Sequence, residues 1–261
     1  MGKYLLKRLA QTVLVMFIVS TLVFFLVSML PGDPVYAMLG EDITQEEYEV
    51  QYQKLGLDKP LVQRYADWLG NIFHGDFGTS TQYHTSVVQV LSERVPVTLW
   101  FAIISTLISF PIGILFGVLT AVKRGKPTDT ILTLIANICA CLPQFWVGIC
   151  LMYFLALKSG ILPSSGFTWP WVDPVLHLRQ AIMPMICLSL GGIAGITRQT
   201  RSSMLEVIRQ DYVRTARSKG LREKKVIMVH AMKNGLIPII TMLGNRLAFL
   251  IGGSMLVESV F

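Results

Sequence analysis

Residues 10–30 read AQTVLVMFIVSTLVFFLVSML, twenty-one positions without a charge. At ~1.5 Å per residue such a helix is about 31 Å long, enough to cross the hydrocarbon core of a bilayer. Lys3, Lys7 and Arg8 precede it, and Leu30-Pro31-Gly32-Asp33-Pro34 ends it sharply, because proline cannot continue a helix. A cleaved signal peptide would have an apolar core of only about 7–15 residues and a small-residue cleavage site. The stretch reads as an uncleaved first membrane span (residues 1–30 with its basic leader), its N-terminus in the cytoplasm.

Outward from this span the pattern repeats. The 261 residues are 52% hydrophobic and 15% charged, with the charges confined to a few segments. That is the composition of a polytopic membrane protein; a soluble domain would carry polar faces on all its helices. Further spans are expected over residues 97–122, 130–157, 181–197 and 236–257, with Pro111, Pro143 and Pro184 inside three of them. Proline is tolerated in membrane helices because neighbouring groups satisfy the freed carbonyls. Of 23 Lys and Arg, 16 lie at the N-terminus, in 123–130 or in 198–233, while 10 of the 16 acids fall between Asp33 and Glu93. Basic segments that alternate with apolar spans report orientation, so the net charge of +7 does not imply nucleic acid. Five crossings from an inside start put the C-terminus outside. The stop at Phe261, directly after the fifth span, points to a truncated sequence.

Residues 31–96 form a polar external segment. Thr44 opens TQEEYEVQYQKLG, a helix with acids in its first turn and Gly56 at its end. A second helix, LVQRYADWLGNIFHG, puts Leu61, Tyr65, Trp68, Leu69 and Ile72 on one face. That helix either packs on the spans or lies at the outer membrane surface. The four cysteines, Cys139, Cys141, Cys150 and Cys187, all fall inside apolar spans and read as buried thiols. His74 and His84 read as surface residues and His177 as unremarkable. Ser/His/Asp order, an HExxH motif and a phosphate-binding GxxxxGK[ST] loop are all missing from the sequence. No catalytic residue and no metal site is therefore assigned.

The most informative stretch is residues 198–238, RQTRSSMLEVIRQDYVRTARSKGLREKKVIMVHAMKNGLIP, with ten Lys or Arg against three acids. Leu205 and Ile208, then Tyr212, Val213 and Ala216, sit near helical spacing, and Gly220 is a good helix stop. The residues alone leave two readings open. One is a solvated basic loop held to anionic headgroups. The other is a short helix that inserts into a groove on a partner.

This segment resembles the cytoplasmic loop of binding-protein-dependent ABC importer permeases. Their Glu-Ala-Ala motif, separated by three residues from a Gly, falls here on Arg214-Thr215-Ala216 and Gly220, and their later proline on Pro238. Arg214 replaces the usual Glu, and His230-Ala231-Met232-Lys233 replaces Ile-x-Leu-Pro. Those departures are typical of the oligopeptide/dipeptide/nickel branch, in which DYVRTARSKGL (residues 211–221) is familiar. LPGDP (30–34), LGLDKPLVQRYADWLGNIFHGDFGTS (55–80), AVKRGKPTD (121–129) and LPQFWVG (142–148) are similar to that branch too.

The resemblance implies an all-α helical bundle of the type I importer permease kind, in a bacterial inner membrane, with five spans present and an expected sixth missing. Residues 97–261 would be the transmembrane domain proper and 198–233 its coupling loop. Residues 212–221 would form the coupling helix, seated in a groove of a separate ATPase subunit. Its contact residues would be Asp211, Tyr212, Arg214, Thr215, Ala216, Gly220 and Leu221, and His230 would pack at the same interface. The implied partners are a second homologous permease, two ATPase subunits and an external substrate-binding protein. ATP and magnesium would be used by the ATPase subunits, with no cofactor on this chain. The implied cargo is di- or oligopeptides, with nickel or a metal chelate as the alternative. An ion-driven secondary transporter would be expected to show inverted repeats and ionisable groups at the midplane, and a membrane enzyme would need a nucleophile or metal cluster.

Arg246 and Asn245 lie near the centre of the fifth span. A charge at that depth is costly unless paired or hydrated. Arg246 either lines a translocation path and attracts a carboxylate, or serves as a structural partner to another helix, or snorkels. Glu258 reads as solvated.

Overall fold

The computed structural model describes residues 1–253 and 259–261. Glu258 and the end of the expected fifth span lie outside the described residues. The fold is all-α; the only extended pairing among the described residues is an isolated bridge between Thr79 and Ser86. The chain forms two compact units, Met1–Arg94 and Val95–Phe261.

In the first unit, α1 (Gly2–Ser28) has no buried residue. A long apolar helix with no residue buried by its own chain is built for lipid. Asp33 caps α2 (Pro34–Leu39) by accepting from the Val35 amide, and a capping box between Thr44 and Glu47 opens α3 (Gln45–Lys54). The Tyr48 hydroxyl donates to Asp33 at 2.5 Å, tying α3 to the start of α2. The amphipathic α4 (Leu61–Phe73) packs on the end of the span, as the first of the two readings above has it. Tyr65 and Trp68 lie 5.3 and 5.2 Å from Phe24, and the Tyr65 and Thr21 hydroxyls share a 2.6 Å hydrogen bond.

α5 (Val87–Val122), whose residues from Val95 onward belong to the second unit, and α8 (Pro174–Val207) are long continuous helices. α8 is central, with 56% of its most apolar window buried. The two meet over small residues. A Cβ at Gly113 would lie 2.7 Å from Ile196 Cβ, and one at Gly117 would lie 2.8 Å from the Thr197 carbonyl. In lipid, close approach of this kind takes over from the hydrophobic effect as the cause of helix association.

Among the described residues, three continuous helices are long and apolar enough to cross a membrane, and the number rises to five when each of two bent pairs is taken as one span. The third expected span, 130–157, is one of those pairs. α6 (Pro127–Cys141) and α7 (Gln144–Lys158) meet at 93°. Pro143 forces the break by pushing Leu142 into extended backbone, with ψ of 122°. The fourth span is longer than the expected 181–197, so residues 198–207 are helix, not loop. Hydropathy loses them because that stretch is amphipathic: Thr200, Ser203 and Met204 face inward while Arg198 is exposed. After α9 (Asp211–Ser218) come α10 (Glu223–Gly235) and α11 (Ile237–Gly253), bent by 50°. Of the four cysteines only Cys187 is buried; Cys141 is exposed on the bundle surface, where lipid accepts a small hydrophobe as readily as a core does.

Candidate functional site

Eight residues are too few for a helix stable in isolation, so α9 depends on its seat. Gln210 enters in extended backbone and Asp211 stands in the first turn, where a negative charge suits the helix dipole. Gly220, with φ of +74°, takes the left-handed conformation that ends the helix. Val213 is fully buried and Ala216 is 6% exposed. Three residues apart, they share one face. That face enters a cluster with Ala121 of α5, Met204 of α8, and Val226, Ile227 and Ala231 of α10.

Polar ties surround the seat. Arg217 donates from Nε and Nη2 to the two Glu223 oxygens at 3.1 and 2.8 Å, closing the turn between α9 and α10. Each partner shifts the other: the hydrogen bonds from Arg217 hold the Glu223 carboxyl below its ordinary range, and those to Glu223 raise Arg217. The Asn234 amide donates to the Tyr212 hydroxyl at 2.9 Å. Arg214 and Asp211 approach to 3.8 Å, but a pair this exposed contributes little.

The expected contact residues divide between two faces. Asp211, Tyr212, Arg214, Thr215 and Gly220 are exposed together, whereas Ala216 faces the bundle and Leu221 is half-buried in the same cluster. Ala216 and Leu221 therefore seat the helix; they do not form its outer surface. α9 is a short rod, polar outside and packed inside against α5, α8 and α10. His230 is half-buried on α10.

Arg246 and Asn245 are not brought together, because Asn245 is exposed while Arg246 is half-buried. Arg246 Nη2 donates to the Leu188 carbonyl of α8 at 2.7 Å. Its guanidinium covers Gly192, where a Cβ would overlap it. Arg246 thus contacts α8, a contact that the helix-partner reading requires.

Three residues passed over in the sequence hold the unit together. His177 is buried, which corrects its reading as unremarkable. Its Nε2 accepts from Trp100 Nε1 at 3.3 Å and its Nδ1 bonds the Thr168 carbonyl at 2.6 Å, fastening the loop between α7 and α8. Asp129 and Arg201 form an ion pair at 2.9 Å. The available signal was an acid and a base at the polar ends of two apolar runs, which marks candidates without pairing them. Among the described residues, no three His, Cys, Asp or Glu side chains converge as metal ligands.

Comparison with known proteins agrees with this architecture. The family of binding-protein-dependent transport system inner membrane components matches residues 113–261, and the N-terminal family of such membrane components matches residues 1–102. The oligopeptide transport system permease protein AppB of Bacillus subtilis is 36% identical over 267 residues, covering 100% of this chain and 84% of AppB. The dipeptide transport system permease protein DppB of Lactococcus lactis is 34% identical over 262 residues, covering 100% and 83% of the two chains. The glutathione transport system permease protein GsiC of Escherichia coli is 36% identical over 261 residues, again covering 100% and 83%.

Proposed function

Because the chain belongs to the family of binding-protein-dependent transport system inner membrane components, we propose that it carries short peptides across the membrane and that α9 receives the driving stroke. The chain is a multi-pass permease subunit and not itself an enzyme. An importer of this family works with an ATP-hydrolysing partner and a substrate-binding partner. The finer assembly proposed is this chain beside a second homologous permease, with two ATPase subunits and an external binding protein. ATP and magnesium are then consumed on the ATPase subunits. In this proposal the N-terminus and the basic segment face the cytoplasm, the side on which basic segments of membrane proteins concentrate.

The observation that carries the reading is the two-sided character of α9. Its outer face presents Asp211, Tyr212, Arg214, Thr215 and Gly220, while Val213 and Ala216 are locked into the bundle behind it. Docking of the outer face in a groove of the ATPase subunit gives ATP-driven closure a handle on the spans. Short peptides are the proposed cargo because the relatives named above carry oligopeptide, dipeptide and glutathione in their names.

The test is uptake of a labelled dipeptide into vesicles that hold the assembled complex and its binding protein. Uptake that requires ATP and ignores a proton ionophore supports the reading. Uptake that persists without ATP and collapses with the ionophore assigns a secondary carrier instead. ATP-driven uptake of nickel in place of peptide overturns the cargo alone.

A further inference from the structure

Asp129 is 6% exposed, yet it carries a full set of donors. Its Oδ2 accepts from the Gly125 amide at 3.0 Å and from Arg201 Nη2 at 2.9 Å, and its Oδ1 accepts from the Thr133 hydroxyl at 3.2 Å. A carboxylate withdrawn from water is tolerated when charge and hydrogen bonds are met together. The three donors come from three places: the turn that joins α5 to α6, the next turn of α6, and α8. Asp129 thus gathers the start of the broken third span onto one turn of α8.

That turn of α8 is also the seat of α9. Arg201 stands one helical turn before Leu205, which packs with its neighbour Met204 in the cluster around Val213 and Ala216. Between them, Ser203 donates to the Gly235 carbonyl at 2.7 Å, and Gly235 leaves room for Met204, whose Sδ lies 2.6 Å from where a Cβ would be. Residues 201–205 therefore touch α6 through Arg201 and, within the next turn, α9 and α10 through Ser203, Met204 and Leu205. Beyond Asp129, α6 runs to the 93° break at Pro143.

We propose that Asp129 and Arg201 are positioning residues for transport: their ion pair fixes α6 to the seat of α9, so that displacement of α9 is delivered to the broken third span. The proposal rests on the coupling role given to α9 above. A staple needed only for folding would be equally buried, so the test must separate stability from coupling.

The experiment measures peptide imported per ATP hydrolysed by the assembled complex in vesicles. Asp129→Asn and Arg201→Gln are compared with the charge-keeping Asp129→Glu and Arg201→Lys. The neutral variants are expected to keep assembly and ATP hydrolysis while import per ATP falls by about fivefold or more. The charge-keeping variants retain most of it. The tie is overturned if import and hydrolysis fall by one factor, if neither changes, or if the charge-keeping variants uncouple as badly as the neutral ones. Should Asp129→Asn fail to assemble, Arg201→Gln against Arg201→Lys carries the same comparison from the more exposed partner. Failure of the unmodified complex to import on ATP overturns the transport reading itself, whereas normal coupling in the neutral variants overturns only the tie.

Discussion

The side-chain amide of Asn234 donates a 2.9 Å hydrogen bond to the phenol oxygen of Tyr212, so the aromatic ring on the outer face of α9 is held in place by α10. The contact is exposed, and a neutral hydrogen bond in such a place contributes at most about 1 kcal/mol. Tyr212→Phe keeps the ring and is expected to leave the ATPase subunit bound. Tyr212→Ala removes the ring and is expected to strip it away, because aromatic side chains dominate most docking surfaces. Co-purification of the ATPase subunit measures both. Equal retention by the two variants would remove Tyr212 from the interface.

Gly220 makes a different demand. A Cβ there would meet nothing within 4 Å, but φ is +74°, a conformation costing a substituted residue roughly 1 kcal/mol and a β-branched one more. Gly220→Asn is therefore expected to be tolerated best, Gly220→Ala less, and Gly220→Val least, in the midpoint of thermal unfolding and in retained ATPase subunit. A ranking by side-chain volume alone would instead point to a close approach by the partner.

Gly117 and Gly195 carry predictions of opposite sign. A Cβ at Gly117 would stand 2.8 Å from both the Thr197 carbonyl and Thr200 Cγ2, whereas one at Gly195 would meet nothing within 4 Å. Gly117→Ala drives α5 from α8 and is expected to destabilise by about 1–3 kcal/mol. Gly195→Ala is expected to be neutral or to stabilise by up to about 1 kcal/mol, since alanine is the better helix former. Thermal unfolding of the purified chain in detergent distinguishes them.

These contrasts mark how far the sequence could be read. Uncharged runs such as 10–30 declare spans because solvation in lipid acts on each residue separately. The helix that Thr44 opens was legible for the same reason, its start signal being local. The extent of α8 beyond Thr197 was not, because amphipathic turns look polar on average although Thr200, Ser203 and Met204 are buried there. The family motif grouped Ala216 with Arg214 and Thr215, and only packing separates an inward residue from outward ones. Asp129 and Arg201 are 72 positions apart, and no periodicity links them.

The contact between Asp33 and Tyr48 has a pH dependence of its own. The hydrogen bond from the Tyr48 hydroxyl is the largest influence on Asp33 and holds its carboxyl below the ordinary value. The same bond pushes the Tyr48 phenol up to about 12. A depressed carboxyl contributes stability that is whole above its ordinary value near ~3.9 and is lost as pH falls through the folded value. A raised phenol contributes stability that is whole below about 10 and is lost as pH rises through the folded value. The pair therefore holds α2 to α3 from about pH 4 to about pH 10 and loosens on either side. Hydrogen exchange of the Val35 amide, which donates to Asp33 at 2.8 Å, reports the loosening once corrected for intrinsic rate. Protection in the unmodified chain is expected to exceed that in Tyr48→Phe at neutral pH and to converge with it as pH falls through the depressed folded value of Asp33. Protection that is equal in the two chains at neutral pH would show that the Tyr48 hydroxyl does not hold the segment.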